Sequence, residues 1–371
     1  MLGSESAAAA LTVRSVTTRA VLLPLDRPIA TRVILIERVP LLLVDLHTEE
    51  GVTGRSYLFG FDPASTARMA EMVHHAVDIV RGEAVAPVAL GKRLARATTL
   101  LGHQGLTRIA FSAIDMCAWD ALARALDVPL VRLLGGEPGR VRAYNSNGLG
   151  LSDPHALGEE AAELVEEGGF EAIKIRLGRA RADDDLAAIR SVRRAVGDDI
   201  ILPSDYNQGL TVMDAVARGR ALDDEGLHWI EEPVVHDDLA GNAKVAREIA
   251  TPVQIGENFY LPSTVAEAVA IGACDYLMLD LGRIGGVTGW MQSAAIAAAG
   301  GIELSTHLFP EFSCHLLPVT PTAHWLEYMS WADPILAEPL EVRGGYVEIP
   351  SRPGAGIDWD EDAVAAYALD L

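Results

Sequence analysis

The fold is decided between residues 201 and 280, where four short apolar segments each end in an acidic residue: ILPSD (201–205), LHWIE (227–231), VQIGE (253–257) and YLMLD (276–280). The segments recur at near-equal intervals, and helical stretches rich in alanine and charged residues separate them. Alternation of short apolar strands with amphipathic helices predicts parallel strands joined by crossover helices.

The same alternation of strands and helices continues on both sides of this region. We expect eight strands, near 141–146, 171–176, 200–205, 227–231, 253–257, 275–280, 302–307 and 323–327. Eight strand–helix units over about 190 residues favour an α/β barrel of the (β/α)7β, TIM-like type, whose functional residues gather at the C-terminal ends of the strands. An open doubly wound sheet would need G-x-G-x-x-G after its first strand, whereas the glycine cluster GGVTG (285–289) comes late and in another pattern.

The residues before the barrel follow a different pattern. Residues 11 to about 60 are typical of strands, with a hairpin turn at 49–51, and apolar spacings of three and four from Pro63 onward indicate helices. The chain is therefore predicted to have a loose N-terminus (1–10), an α+β capping domain (11–136), a barrel catalytic domain (137–330) and a C-terminal segment (331–371) that returns to complete the capping domain.

Composition restricts the class of protein. Half of the 371 residues are hydrophobic, which argues against disorder, and 52 acidic against 30 basic residues give a net charge of −22. An acidic chain is a poor partner for nucleic acid or an anionic membrane. No apolar run reaches the roughly 18 residues of a membrane-spanning helix. The three cysteines form no metal or redox motif, and we expect a cytoplasmic location.

Three of the acids at strand ends form a candidate metal site. Asp205, Glu231 and Glu257 should lie side by side at the rim of the barrel, where like charges repel unless a cation neutralises them. Three oxygen donors without cysteine or histidine favour Mg²⁺ over Zn²⁺. The alternative of separate surface acids, each paired with a basic residue, fits one strand end better than three at near-equal spacing.

Other ionisable residues are predicted to face the same rim. Lys174 and Arg176 alternate with isoleucines along the second strand, so both should point into the barrel mouth. Asp280 and His307 end adjacent strands, and a carboxylate on one imidazole nitrogen would leave the other nitrogen as acid or base. Glu327 is a further rim acid that could face His307.

At these residues the chain resembles the enolase superfamily, in particular its mandelate racemase group. The motifs extend over nearly the whole chain: TRAVLLPL, GRSYLFGF, IDMCAWDAL, AIKIR, DYNQ, WIEEP, GENF, IGGVTGW, STHLF and TPTAHWLE. The resemblance implies Mg²⁺ ligands at Asp205, Glu231 and Glu257, and an Asp280–His307 dyad.

The resemblance also implies how the substrate is held. Lys174 would neutralise a substrate carboxylate and Glu327 would donate a hydrogen bond to it, while Ser146 and Asn207 match positions that contact substrate or metal. The family reaction begins by removal of the proton α to a carboxylate, giving an enediolate. A small-molecule carboxylate substrate and a homo-oligomeric state are further implications.

One position departs from the family pattern. Mandelate racemase has K-x-K on the second strand, with the second lysine as a base, whereas this chain has Lys174 and Arg176. Keeping a lysine neutral at pH 7 costs about 5 kcal/mol, and keeping an arginine neutral costs about 9 kcal/mol. Arg176 is therefore expected to be an electrostatic clamp rather than an efficient base.

Three functions remain at this point. A mandelate racemase-like 2-hydroxy acid racemase, an isomerase, is favoured by the full-length resemblance and by the apolar segment 28–39, which could cover an aryl or alkyl group. An acid-sugar dehydratase, a lyase, would need only His307 as base and acid. A non-catalytic binding barrel is the remote alternative, because every metal and dyad position is filled.

Overall fold

The structure is a computed structural model that describes residues 11–371, so the predicted loose N-terminus at 1–10 lies outside the described residues. The first part of the chain forms an antiparallel sheet in the order β1-β2-β3, with the predicted turn at 49–51 joining its last two strands. Its strands are β1 (Val13–Ala30), β2 (Leu35–Thr48) and β3 (Thr53–Phe59). The helices that follow are α1 (Pro63–Val80), α2 (Pro87–Ala97), α3 (Leu106–Ala125) and α4 (Leu130–Leu133).

Local sequence sets these elements. The side chain of Asp62 accepts a hydrogen bond from the Ser65 backbone N–H and so caps α1, which Pro63 begins. Helix α3 packs on the sheet, and Gly54 permits close contact because a Cβ there would lie 1.9 Å from the Cys117 carbonyl oxygen. The consecutive residues 41–46 of β2 are buried, as expected for a central strand under a helical layer.

The eight predicted barrel strands are present. They are β4 (Arg140–Asn145), β5 (Ile175–Arg176), β6 (Ser204–Asp205), β7 (Ile230–Glu231), β8 (Val253–Ile255), β9 (Tyr276–Asp280), β10 (Glu303–His307) and β11 (Leu326–Tyr328). Strands β5 to β10 form one parallel sheet in sequence order, and bridges Asn145–Ile173 and Leu304–Ala323 join it to the neighbouring β4 and β11. Because β11 also pairs with β4, the barrel is closed.

Helices lie between successive strands of the barrel. They are α5 (Leu157–Glu166), α6 (Ala182–Val196), α7 (Val212–Leu222), α8 (Leu239–Glu248), α9 (Pro262–Ile271), α10 (Leu281–Ile284), α11 (Gly286–Gly300) and α12 (Pro310–Leu316). The predicted α/β barrel with an α+β capping unit is therefore the fold of this chain.

A layer of four large side chains and one alanine fills the barrel below its C-terminal rim. Its members come from different strands and pack together: Tyr144, Ala172, Trp229, Met278 and Trp325. Side chains alternate along a strand, so the residue two positions further on faces the same interior one layer higher. Those residues are Ser146, Lys174, Glu231, Asp280 and Glu327.

The C-terminal segment contacts both parts of the molecule. Strands β12 (Val342–Arg343) and β13 (Tyr346–Glu348) extend the sheet beside β4. Further on, α13 (Glu361–Ala366) leads to residues 367–369, whose backbone hydrogen bonds to Ala20 and Leu22 of β1. The exact domain boundaries stay a prediction.

A polar seam joins the first unit to the barrel. Asp115 and Trp119 of α3 both hydrogen bond to the Thr288 hydroxyl at the start of α11, and Asp115 also accepts from the Thr288 backbone N–H. A Cβ at Gly286 would lie 2.5 Å from Asp115, so this glycine permits the approach. The glycine cluster is thus a helix start packed against α3.

No helix within residues 11–371 is long and apolar enough to cross a membrane. The three cysteines are buried and unpaired.

Candidate active site

Three carboxylates converge at the C-terminal rim of the barrel. Asp205 and Glu231 end adjacent strands in register. Glu257 lies two residues beyond β8, after Gly256, which has φ +125° and no room for a Cβ because the Met278 carbonyl oxygen would be 2.6 Å away. Oxygens of the three buried side chains lie within 4.8 Å of one another.

Lys174 faces this cluster. Its Nζ lies 3.0 Å from Glu231 Oε1, 3.6 Å from Asp205 Oδ2 and 2.6 Å from Glu327 Oε1. Burial and the neighbouring carboxylates together raise the pKa of Glu231 to about 8, against the opposing effect of Lys174. One ammonium group therefore faces more negative charge than it can balance.

The cluster fits a hard divalent cation. Its donors are all oxygens, the set that Mg²⁺ prefers. Neighbouring groups orient two of the carboxylates from outside the cluster: Asn207 Nδ2 donates to Asp205 Oδ2 at 2.7 Å, and Trp229 Nε1 donates to Glu231 Oε2 at 3.1 Å. The carboxylates are thus held close together despite their repulsion, as a metal site requires.

Asp280 and His307 form a hydrogen-bonded pair on the neighbouring strands. Asp280 Oδ2 lies 2.7 Å from His307 Nδ1, and Asp280 Oδ1 accepts from the Arg283 backbone N–H at 3.0 Å. A carboxylate only accepts, so Nδ1 carries the hydrogen and Nε2 faces the cavity, 3.2 Å from Glu257 Oε2. Burial opposes protonation of His307, but Glu257, Glu327 and Asp280 raise its pKa to about 9.

Glu327 lies between Lys174 and the dyad. Its Oε2 accepts from the Leu308 backbone N–H at 3.0 Å and is 3.9 Å from His307 Nε2. Burial works against ionisation of Glu327, yet Lys174 and His307 lower its pKa to about 2. In this arrangement both Glu327 oxygens accept hydrogen bonds, and the predicted donation to a substrate carboxylate would require a proton.

Arg176 is buried and fully directed toward the loop after β4. Its Nη1 donates to the carbonyl oxygens of Ser146 and Gly148, and its Nη2 donates to Ser146 Oγ at 2.9 Å. This is the geometry of a clamp that orders the loop and the Ser146 hydroxyl.

A cavity of about 280 Å³ lies above these groups. Segment 28–39 contributes Ile29, Val33, Ile34 and Ile36 to its lining, as the predicted hydrophobic cover. An aromatic wall, formed by Phe59, Phe61 and Trp331, continues that surface: the ring centres of Phe59 and Phe61 are 4.6 Å apart, and those of Phe59 and Trp331 are 5.2 Å apart.

Sequence reasoning did not identify several residues that line the cavity. Gln208 and Glu232 directly follow predicted site residues in DYNQ and WIEEP, so proximity in sequence could have indicated them. The aromatic wall and Arg283 could not be found in this way, because residues from distant parts of the chain meet there.

Two family models cover most of the chain. Residues 13–135 match the mandelate racemase/muconate lactonizing enzyme N-terminal domain, and residues 156–363 match the enolase C-terminal domain-like family.

Solved structures and a curated relative agree with these matches. An enolase from alpha proteobacterium bal199 with bound Mg is 47% identical, with a TM-score of 0.95 over 97% of this chain and 100% of that chain. A Bradyrhizobium enolase complexed with magnesium and mandelic acid is 41% identical, with a TM-score of 0.93 over 98% of this chain and 99% of the other. L-talarate/galactarate dehydratase of Salmonella typhimurium is 29% identical over 92% of this chain and 87% of that protein.

The fold and the rim of charged residues define a barrel enzyme with a capping unit. More specifically, the chain belongs to the enolase superfamily, in the mandelate racemase/muconate lactonizing enzyme family.

Proposed function

We propose that this enzyme abstracts the α-proton of a 2-hydroxy carboxylate, with His307 as the base, through an enediolate. The observation that carries the proposal is His307 Nε2 facing the carboxylate cluster while Asp280 holds Nδ1 at 2.7 Å. In the unprotonated ring, Nε2 is the single basic nitrogen directed at the cavity, and a cation held by Glu257 would offset the negative charge that favours protonation.

The proposed metal is Mg²⁺, held by Asp205, Glu231 and Glu257. When bound, it would supply Lewis-acid stabilisation of the negative charge that develops on the substrate carboxylate. The support in this chain is the set of buried oxygen donors, and solved neighbours contain magnesium.

The other site residues are proposed to bind the substrate. Lys174 offers an ammonium group to the carboxylate, and its charge stabilises the enediolate more than the ground state. Asn207 Oδ1 is buried without a hydrogen-bond partner among residues 11–371, which suits a substrate hydroxyl. Ser146, oriented by Arg176, and Glu327 complete the proposed contacts.

The cavity lining indicates the substrate's remaining group. Its upper wall is mainly aliphatic and aromatic, and such a surface stabilises an aryl or alkyl substituent by removing apolar area from water. The proposed substrate is therefore a 2-hydroxy acid with an apolar substituent. The Bradyrhizobium neighbour with mandelic acid supports this choice.

Dehydration is the net reaction that we favour when the substrate carries a 3-hydroxyl. His307 takes the proton from C2, and the electron pair of that bond moves onto the carboxylate to give the enediolate. The enediolate then collapses, so that C2=C3 forms as the C3–O bond breaks. The same imidazole returns the proton to the leaving hydroxyl, giving water and an enol that becomes a 2-oxo acid. Arg176 supports one-base chemistry because its guanidinium is committed to three oxygens and presents no nitrogen lone pair to a substrate.

Racemisation, as in mandelate racemase, is the second candidate. It is favoured by the apolar wall, but it requires a second base on the opposite face of the substrate. Proton NMR in D₂O with Mg²⁺ distinguishes the two reactions, with each enantiomer of mandelate and with 3-phenylglycerate. Exchange of the α-proton without inversion, together with formation of phenylpyruvate, is expected. Inversion of mandelate would favour racemisation, and no exchange with any acid would contradict α-proton abstraction.

A further inference from the structure

Gln208 lines the cavity, and its side-chain amide has a fixed orientation. Its Oε1 lies 2.9 Å from the His236 backbone nitrogen and 3.0 Å from His236 Nδ1. A backbone N–H can only donate, so the atom facing it must be the amide oxygen and not the nitrogen. It follows that His236 Nδ1 carries a hydrogen and that both donors hold the same oxygen.

The nitrogen of this amide, Gln208 Nε2, is available as a hydrogen-bond donor. Within residues 11–371, Gln208 Nε2 donates no hydrogen bond, and the hydrogen bonds of this amide are made by Oε1. Gln208 lines the active-site cavity, whereas His236 lines a separate groove of about 460 Å³ beside it. The pair therefore spans the wall between the two spaces, with the oxygen of Gln208 toward His236 and its NH₂ group available to the cavity.

The backbone also supports this position. Gln208 has a backbone φ of +62°, which residues other than glycine seldom adopt. Its backbone N–H donates to the Glu232 carbonyl oxygen at 2.8 Å and so holds this conformation. Burial lowers the pKa of His236, which favours the neutral imidazole with its hydrogen on Nδ1.

The charges around Gln208 favour a neutral hydrogen-bond acceptor of the substrate, such as a hydroxyl, over a second substrate carboxylate. The cations of the lining are already engaged: Lys174 by carboxylates, Arg176 by backbone oxygens and Ser146, and Arg283 by the Glu257 carbonyl oxygen and Asp280. Glu257 and Glu327 add negative charge to the same lining. A hydroxyl oxygen accepts a hydrogen bond without that repulsion.

We propose that Gln208 donates a hydrogen bond from Nε2 to a substrate hydroxyl beyond C2, and that His236 is the positioning residue that fixes this orientation. The inference rests on the proposed function and narrows its substrate class. The substrates would be 2,3-dihydroxy acids with an apolar substituent, in which the hydroxyl bound by Gln208 is the one that leaves on dehydration.

Calorimetric binding to the Mg²⁺-loaded protein tests this independently of turnover. The probes are 3-phenylglycerate and 3-phenyllactate, which differ by one hydroxyl. The wild type is expected to bind 3-phenylglycerate about tenfold more tightly, the effect of one hydrogen bond. Gln208→Met removes the donor, and Gln208→Glu keeps an acceptor for His236 without a donor at the other end. Both should abolish the preference, and Gln292→Met, at an exposed position of α11, should keep it.

Variants at His236 test its positioning role. His236→Phe retains the backbone N–H but loses Nδ1, and should weaken binding of 3-phenylglycerate only. His236→Asn, which offers a side-chain donor, should restore part of the preference. Equal affinity of the wild type for both acids, or equal weakening of both by Gln208→Met, would overturn the inference. Because α-proton exchange is measured separately, failure of the proposed function would be seen as absent exchange in a protein that still discriminates in binding.

Discussion

Lys174 lies directly before β5 and Arg176 within it, and their surroundings suit them to different roles. Lys174 has carboxylates on several sides, so its ammonium group is directed at the cluster and at any bound anion. Arg176 has backbone carbonyls and a hydroxyl around it, so its planar guanidinium orders a loop. We therefore expect the exchange of lysine for arginine at position 176 to change which reactions the site supports.

His307→Asn should abolish exchange of the substrate α-proton with solvent. Asparagine keeps a similar size but provides no basic nitrogen, and general-base catalysis contributes about 10²- to 10⁴-fold. The measurement is NMR in D₂O with Mg²⁺ and mandelate. His75→Asn, at an exposed position of α1, is the matched control. Unchanged exchange in His307→Asn would remove the dyad from the mechanism.

Arg176→Met should retain α-proton exchange from the enantiomer whose proton faces His307. Loss of the clamp leaves the loop after β4 less ordered, so KM should rise by about tenfold while exchange persists at saturation. Rates are measured for each mandelate enantiomer. Equal loss of exchange for both enantiomers in a variant that still binds substrate would show that the arginine takes part in proton transfer.

At the scale of elements, the seam between α3 and α11 holds the capping unit against the barrel. Asp115 and Trp119 of α3 both hydrogen bond to Thr288 of α11. Helix α11 directly follows the short helix α10, whose N-terminus Asp280 caps. The Asp280–His307 pair and the cover of the cavity are therefore linked through a few partly buried polar contacts.

The stability of this seam should depend on pH through Asp115. Burial raises the pKa of Asp115 to about 7 in the folded state, whereas an unfolded aspartate titrates near 3.9. As pH rises from about 4 to about 7, the unfolded state releases its proton first, so the free energy of unfolding should fall. This fall should be absent from Asp115→Asn.

Urea unfolding at pH 5 and pH 7.5 checks this expectation. Relative to the wild type, Asp115→Asn should have a higher free energy of unfolding at pH 7.5 than at pH 5. Asp198→Asn, at an exposed position, should follow the wild type. A pH-independent difference would mean that Asp115 is ionised in the folded protein throughout this range.

Much of the site could be predicted because strand periodicity is local. Each residue of the buried layer, such as Trp229 or Met278, lies two positions before a site residue, so the sequence pattern indicated Glu231 and Asp280. Glu257 fits the spacing only because a glycine turn carries it past the end of β8. The aromatic wall and the Gln208–His236 contact depend on packing between distant segments, which no local pattern reports.

For the whole molecule, the carboxylate cluster couples metal binding to stability. A cation that binds only the folded protein stabilises it, by about 2.7 kcal/mol at a hundred times Kd. Thermal unfolding should therefore show a Tm that rises with Mg²⁺ and falls with chelator. The oligomeric state and cytoplasmic location stay predictions.

Glu257→Gln should separate the effect of carboxylate repulsion on stability from the effect of Mg²⁺ binding. Without Mg²⁺, loss of one buried negative charge reduces repulsion, so Tm should rise above that of the wild type. With Mg²⁺, the variant should gain less than the wild type, because one ligand is weaker. Glu267→Gln, at an exposed position, serves as the control. An unchanged response to Mg²⁺ in Glu257→Gln would contradict the ligand assignment.

The contact of residues 367–369 with β1 has a consequence for how the protein is made. The ribosome produces β1 first and these residues nearly 350 codons later, yet their backbones hydrogen bond directly. During translation, this part of β1 keeps an unpaired edge, the kind of surface that recruits other chains. A nonsense mutation a few codons before residue 367 would leave every barrel strand intact and make that temporary vulnerability permanent.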